Sequence, residues 1–414
     1  MSQSARNVEH TESRSLFKNR AYSALWVSNL LAILSFSIFI STISWYVVAE
    51  LKLPQYLGLV IVVASIPRIC MMLFGGVLAD RVRKSKLMFI AGIITTALLF
   101  VLYMLESNQA LTFTTLLLIC FVMGLTEGIY YPAATSIIPQ LVDKSQLQRA
   151  NTVMHSASEL IFFTGPIVSG IIMNYYSISL ALLIAAIAKL VHCLFIFPKI
   201  IQDPVPEQRE HKQSFKADFI EGWVYVKQSP LHISSILIII MINLFILGPL
   251  FLSLPIIVKS MDGTPLHVSF LESAFSLGSL VATVGLSVFL LRKKRGAIVS
   301  VCLIMSLILM FVFSQTSSLI WLVLIAMFIG LSSFVTFITS EVIIQETTDT
   351  DKMGRVMGIV SMSQNAFDPV AHIVIAVLLS VGFAIQSIMG VMSLIGLIIA
   401  VAIVWKGKKL RRTD

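Results

Sequence analysis

Charge is scarce in this chain: Asp, Glu, Lys and Arg make up 12% of its 414 residues. So small a share cannot clothe a water-soluble core, whose domain would carry about a quarter of its residues charged. The four cysteines, Cys70, Cys120, Cys193 and Cys302, each fall inside a long apolar run. That excludes a disulfide framework and a paired metal motif, and leaves them as small buried hydrophobes. No G-x-x-x-x-G-K-[ST] stretch occurs, which removes the nucleotide-driven engine built on that loop. The first twenty residues mix acids and bases without an apolar core. They do not read as a cleavable signal peptide, and the amino terminus is expected in the cytosol. No nucleophile, base and oxyanion donors gather at one depth, so the expectation is a protein that is not an enzyme and carries no cofactor and no metal.

What is present is apolar: 57% of the residues are hydrophobic and the mean hydropathy is +0.92. A helix crossing a hydrocarbon layer of about 30 Å needs roughly 20 apolar residues, since lipid satisfies no open backbone. Twelve segments qualify: 21–49, 55–79, 86–106, 111–139, 148–175, 178–198, 232–258, 266–291, 297–314, 318–345, 354–381 and 384–405. The expected fold is an all-α membrane protein of two six-helix bundles. The chain divides into an amino-terminal arm (1–20), a first bundle (21–198), a central loop (199–230), a second bundle (231–405) and a basic tail (406–414).

With both termini in the cytosol, all 30 lysines and arginines but Lys52, Lys259, Arg68 and Lys189 fall in the arm, the tail or cytoplasmic connections. This is the positive-inside pattern, and it assigns the net charge of +9 to the membrane surface rather than to nucleic acid. In the central loop, "FKADFIEGWVYVKQ" sets Phe215, Phe219, Trp223 and Val226 near helical spacing, an amphipathic helix expected to lie along the inner surface or to act as a plain linker. The halves repeat weakly: a shift of 209 lays Arg83, Lys84 and Lys86 over Arg292, Lys293 and Arg295. Such symmetry is common in secondary transporters.

Two stretches carry a resemblance. "GGVLADRVRKSK" (75–86) resembles the G-x-L-A-D-R-x-G-R-R motif between the second and third helices of the major facilitator superfamily. Gly76, Asp80 and Arg81 match, and Arg83 stands where a second glycine is usual. "FFTGPIVSG" resembles the G-P-x-x-G-G antiporter motif, with Gly165, Pro166 and Gly170 matching and Ser169 replacing a glycine. The chain is thus similar to the macrolide-efflux type of drug:proton antiporter. The resemblance implies a proton-coupled exporter in a bacterial cell membrane. Its cargo is left open among macrolides, tetracyclines, siderophores and lysophospholipids. Asp80 ends the second span where the positive pole of the eleventh, near Met353 to Arg355, is expected when the inner gate shuts, so it reads as a latch. Lys84, one turn on, is placed to pair with Asp143.

An ionisable side chain at mid-bilayer costs roughly 2.5–3.5 kcal/mol, so each needs a reason. Arg68, Glu127, Glu159, Lys189 and Asp368 fall near the middle of their spans, Glu272 lies further out, and Glu341 and Glu346 lie near the inner end of the tenth. Glu127 in "GLTEGIYYP" is the first candidate for the coupling proton, or else pairs with Arg68 or Lys189 for structure alone. Gly124 occupies the position where the similar motif carries Arg. His155 and Glu159 share a helix face with Phe163, Pro166 and Gly170, which suits either a proton relay or close packing against the eighth span. Ser361, Asn365, Asp368 and His372 form a polar stripe on the eleventh span, facing cargo, water or a hydrogen-bonded neighbour. Asn29, Tyr131 and Asn365 are expected to line the cargo cavity. The expected partners are protons, a small amphipathic molecule and the bilayer, with the protein itself a monomer.

Overall fold

A computed structural model describes residues 16–79, 81–143, 146–203, 215–288, 294–349 and 352–406. Twelve of its helices are long and apolar enough to cross a membrane. We label them with the short connecting helix in chain order: α1 Arg20–Glu50, α2 Leu57–Ala79, α3 Lys84–Ser107, α4 Phe113–Leu141, α5 Leu147–Tyr175, α6 Ile178–Phe195, the connecting α7 Phe215–Gln228, α8 Pro230–Ser260, α9 Pro265–Val288, α10 Arg295–Gln315, α11 Leu319–Thr347, α12 Met353–Ser380 and α13 Ile385–Lys406. The spans expected from the sequence coincide with these to within a few residues. An even number of crossings leaves Leu16 and Lys406 on one side, called here the termini-bearing face.

Local chemistry sets the ends. The side chains of Asn19, Thr112, Ser177 and Ser229 accept amide hydrogens from the first turns of α1, α4, α6 and α8, the usual answer to orphaned donors at a helix start. The start of α3 is capped from a distance: Asp203, beyond α6, accepts the amide hydrogens of Lys84 at 2.7 Å and Ser85 at 3.2 Å and also the Ser85 hydroxyl. A carboxylate suits the positive pole of a helix. In α12 the regular turn breaks at Phe367, ahead of Asp368–Pro369, because Pro369 has no N–H to donate. In α8 one wide turn runs over Asn243–Leu247, where the Gly248 amide reaches back to the Asn243 carbonyl.

The bundles are built alike. Within the first, α2 packs on α4, α3 on α4 and α6, and α1 on α5 and α6; within the second, α9 packs on α11, α10 on α11 and α13. Glycine permits the closest of these approaches. A Cβ at Gly124 would sit 2.2 Å from the Ala64 carbonyl oxygen, and one at Gly128 2.5 Å from that of Arg68; in the second bundle Gly278 and Gly330 meet the carbonyls of Met327 and Phe275 at 1.9 and 2.1 Å. Small residues are what let backbones touch where lipid removes the hydrophobic drive. They also explain Gly124: the arginine of the similar motif has no room between α4 and α2.

The bundles meet chiefly through two pairs, α5 with α9 and α2 with α12, with a smaller contact of α1 with α8. A rotation that carries the second span onto the eighth carries the fifth onto the eleventh, so these two seams are equivalent under the pseudo-two-fold.

Candidate functional site between the halves

Both seams close from mid-membrane to the face opposite the termini. On the first, the hydroxyls of Ser273 and Ser276 donate to the carbonyls of Phe163 and Phe162 at 3.0 and 3.3 Å, and Gly170 lies against Ser269 and Leu266. On the second, Gly58 of α2 lies against the His372 carbonyl and Ala376. Ser41 of α1 adds a hydrogen bond to Glu272 of α9 at 2.9 Å, and the Lys259 ammonium stands 5.9 Å over the Trp45 ring. A basin of about 490 Å³ lies over the closed end, lined by Trp45, Glu50, Glu106, Gly263 and Thr264 among others.

Toward the termini-bearing face the seams part. His372 belongs to a stripe that continues through Asp368, Asn365, Ser361, Gly358 and Gly354. Its outer end presses on α2, whereas Gly354 and Gly358 have nothing described within 4 Å of where a Cβ would stand. Leu160 and Met362 are exposed, as is Tyr131 at 54%. The result is a crevice between the bundles, open on the termini-bearing side and sealed on the other.

Glu127 is turned from α2 toward α6 by the two glycines that flank it. Its carboxylate receives the Lys189 ammonium at 2.9 Å, with the lysine side chain 4% exposed and the glutamate 24%. The same ammonium lies 5.0 Å from the centre of the Tyr130 ring, which meets His192 edge-on. His192 Nδ1 lies 2.8 Å from the Ser28 hydroxyl and 2.9 Å from its carbonyl. Of the two bases expected for Glu127, Lys189 is therefore the partner. Arg68 leaves its Nε buried without a hydrogen bond.

On α5, His155 is exposed and Glu159 half-buried. The Phe163 to Gly170 part of their stripe lies in the α5–α9 seam. At the open end of that stripe the structure adds a residue that sequence reasoning had placed only by depth: Glu341 of α11, whose electrostatic neighbours are Gln345 and His155. His155 thus lies within electrostatic reach of two carboxylates, its own-helix neighbour Glu159 and Glu341 of the other half. On α12 the Asp368 carboxylate stands 3.6 Å from His372 Nδ1, and the bare Gly248 of α8 comes close to its Oδ1. Asn365 donates to the Ser361 carbonyl at 2.8 Å.

Asn29 is committed within the first bundle, donating to the Ser158 hydroxyl at 3.0 Å. Gly165 serves a close crossing of α5 with α1, where a Cβ would lie 2.5 Å from the Ser37 hydroxyl, and Pro166 is buried beside it. Of the loop motif, Asp80 lies outside the described residues, Gly76 falls within α2 and Arg81 is exposed. The Lys84 ammonium donates to the Ser136 carbonyl at 3.0 Å, and the main-chain carbonyl of the exposed Asp143 turns the chain by accepting the Gln146 amide hydrogen. Among the described residues no three of His, Cys, Asp and Glu gather as a metal site.

The major facilitator superfamily pattern matches residues 25–371 of the chain. Macrolide efflux protein A of Streptococcus pyogenes is 22% identical over 368 residues, 86% of this chain and 88% of that one. The staphyloferrin A transporter of Staphylococcus aureus is 22% identical over 200 residues, 47% of this chain and 50% of that one. Among solved structures, the POT family transporter PepTSo superposes with a TM-score of 0.74 at 12% identity, covering 96% of this chain and 99% of that one. At that identity the superposition speaks for the fold.

Proposed function

The chain belongs to the major facilitator superfamily, and from that premise we propose that it is a proton-coupled exporter of an amphipathic, cationic small molecule. The observation that carries the reading is the chemistry of the crevice. Within an apolar bundle, Glu159, Glu341 and Asp368, from both halves, border one opening, with Glu159 and Glu341 both within electrostatic reach of His155, while Glu127 is paired with Lys189 inside the first bundle. Acid in excess of base, set beside Tyr131, Phe36 and Met362, favours a cargo with an apolar body and a positive group. The likeness to macrolide efflux proteins supports the same class.

In this reading the open side is cytoplasmic, and cargo enters there. Rocking of one bundle against the other parts the α5–α9 and α2–α12 seams and presents the crevice outward. A proton from outside then takes the place of the cargo's charge at a carboxylate, and the halves rock back. Each elementary charge carried through the potential is worth about 2.3 kcal/mol per 100 mV, so one proton per cycle is drive enough for accumulation. Glu127 is the first coupling candidate, because protonating it would release Lys189 from a buried pair. Asp368 beside His372 is the second. Asp80, next in sequence after α2, would latch the inner gate once α12 swings toward it.

A second reading, export of an anionic chelator, is favoured by the buried Arg68 Nε without a partner and by the relative that carries staphyloferrin A in its name. Inside-out vesicles under an imposed pH gradient separate the two. Gradient-driven uptake of a macrolide or cationic dye is expected, lost in Glu127→Gln or Asp368→Asn and weakened in Glu341→Gln. Uptake of a citrate-type chelator or of a lysophospholipid in its place overturns the cargo class. Undiminished uptake by both Glu127→Gln and Asp368→Asn overturns the coupling assignment.

A further inference from the structure

Helix α7 ends at Gln228 and α8 enters the membrane at Pro230, so α7 is held at the level where the bilayer begins. It has two faces. One grips the start of α12. Glu221 accepts from Arg355 Nη1 at 2.9 Å and is ion-paired with Lys352. Gly222 lets the α7 backbone lie against Arg355, where a Cβ would come within 3.0 Å. The Tyr225 hydroxyl accepts the Asp349 amide at 3.1 Å, and Val226 is buried in a cluster with Ile236, Val356 and Ile359. The sequence pattern grouped Val226 with Phe219 and Trp223 as one membrane face. The structure separates them, because Val226 is turned inward onto the second bundle while Phe219 and Trp223 stay outside.

The outer face exposes Phe219, Ile220, Trp223 and Val224 as one strip, between 37% and 50% open, and the Lys227 ammonium sits 5.3 Å over the Trp223 ring. Glu221 being engaged by two cations, Lys227 is, among the described side chains, the charge at the edge of that strip. A large apolar strip bordered by an aromatic-stacked cation, on a helix fixed at membrane depth, matches the boundary between acyl chains and headgroup phosphates. We propose that this strip docks into the phospholipid leaflet of the termini-bearing face, and that Glu221 passes the anchorage to the start of α12, holding that end of the helix away from α2. The membrane surface then stabilises the open crevice, whatever the cargo.

The test uses the full chain at one copy per nanodisc. With Trp26, Trp45, Trp321 and Trp405 changed to Phe, Trp223 is the sole reporter. Lipids brominated near the headgroup are expected to quench it more than aqueous iodide does. Hydrogen exchange of the amides from Met353 to Val360 is expected to rise about ten-fold in both Phe219→Ser/Trp223→Ser and Glu221→Gln. Quenching by iodide in preference to lipid overturns the docking. Acceleration by Glu221→Gln alone, with Phe219→Ser/Trp223→Ser silent, overturns the coupling. Lipid quenching or protection that appears only with two copies per disc assigns the strip to a contact between chains and overturns the proposal as well.

Discussion

Gly170→Ala tests whether the α5–α9 seam is a gate or merely a fold contact. A Cβ at Gly170 would stand 2.0 Å from the Ser269 hydroxyl oxygen, 2.6 Å from the Ser269 Cβ and 3.2 Å from the Leu266 Cα. The hydroxyl can rotate aside, but the Ser269 Cβ and the Leu266 backbone move only with α9 itself. Carbon atoms rest at about 3.5–4.0 Å, so the two helices must separate by roughly 1 Å at this level. Forcing a methyl into a fitted contact costs about 1–3 kcal/mol. The cost falls only on the arrangement in which α5 and α9 touch here, so it shifts the balance toward the opposite arrangement by about 5- to 150-fold. Spin labels at Tyr176→Cys and Asp262→Cys, both exposed beside the closed seam, report it by distance measurement in a background without native cysteines. Gly170→Ala is expected to add a longer-distance population. Gly165→Ala is the control: its methyl would meet Ser37 at 2.5 Å inside one bundle, so it lowers thermal stability and leaves the distances alone. A Gly170→Ala distribution identical to the parent's would refute the argument, since the clash would then be absorbed without parting the halves.

The Glu127–Lys189 pair should behave as a unit. Lys189→Met and Glu127→Gln each leave a polar partner stranded, the lysine variant at a cost of about 3–5 kcal/mol, and in the double variant most of that loss is regained; purely additive losses in nanodisc thermal unfolding would contradict the pairing. Ser41→Ala removes the donor to Glu272 across the closed face, at about 1–3 kcal/mol, and should raise alkylation of a cysteine placed at Glu50. Unchanged labelling would show that this hydrogen bond does not help to seal that face.

Depth was legible in the sequence and azimuth was not. Apolar run lengths gave the twelve spans, and the same runs placed Arg68, Glu127, Lys189 and Asp368 near the middle of theirs. Whether two charges meet depends on how each helix is rotated about its own axis, and that is fixed by contacts far apart in the chain. Lys189 lies 62 residues from Glu127, and nothing periodic in either helix points to the other. Glu341 appeared only as an acid near a helix end, because its neighbour His155 lies on the far bundle. Ser41 carries no signal in the sequence, because Glu272 meets it only in the folded protein. Asp203, in a connection with no pattern, gave no signal that it would cap α3.

The rotation does have a readable determinant, although its meaning emerges only in three dimensions. Gly124 and Gly128 force one face of α4 onto α2, and Glu127, about 60° and about 100° round the helix from them, is thereby turned off that face. Glu127 must then look toward α6, where Lys189 is. Gly170 acts likewise between bundles, pinning α5 to α9 and leaving the preceding turns, with Glu159 and His155, to open onto the crevice. Small residues therefore decide which acids are paired and which face the opening. A substitution such as Gly128→Leu should disable Glu127 without touching it: with a Cβ already 2.5 Å from the Arg68 carbonyl, α4 must turn, and the ion pair with Lys189 breaks. Full stability together with an intact Glu127–Lys189 coupling energy in that background would show that the glycines do not set the rotation.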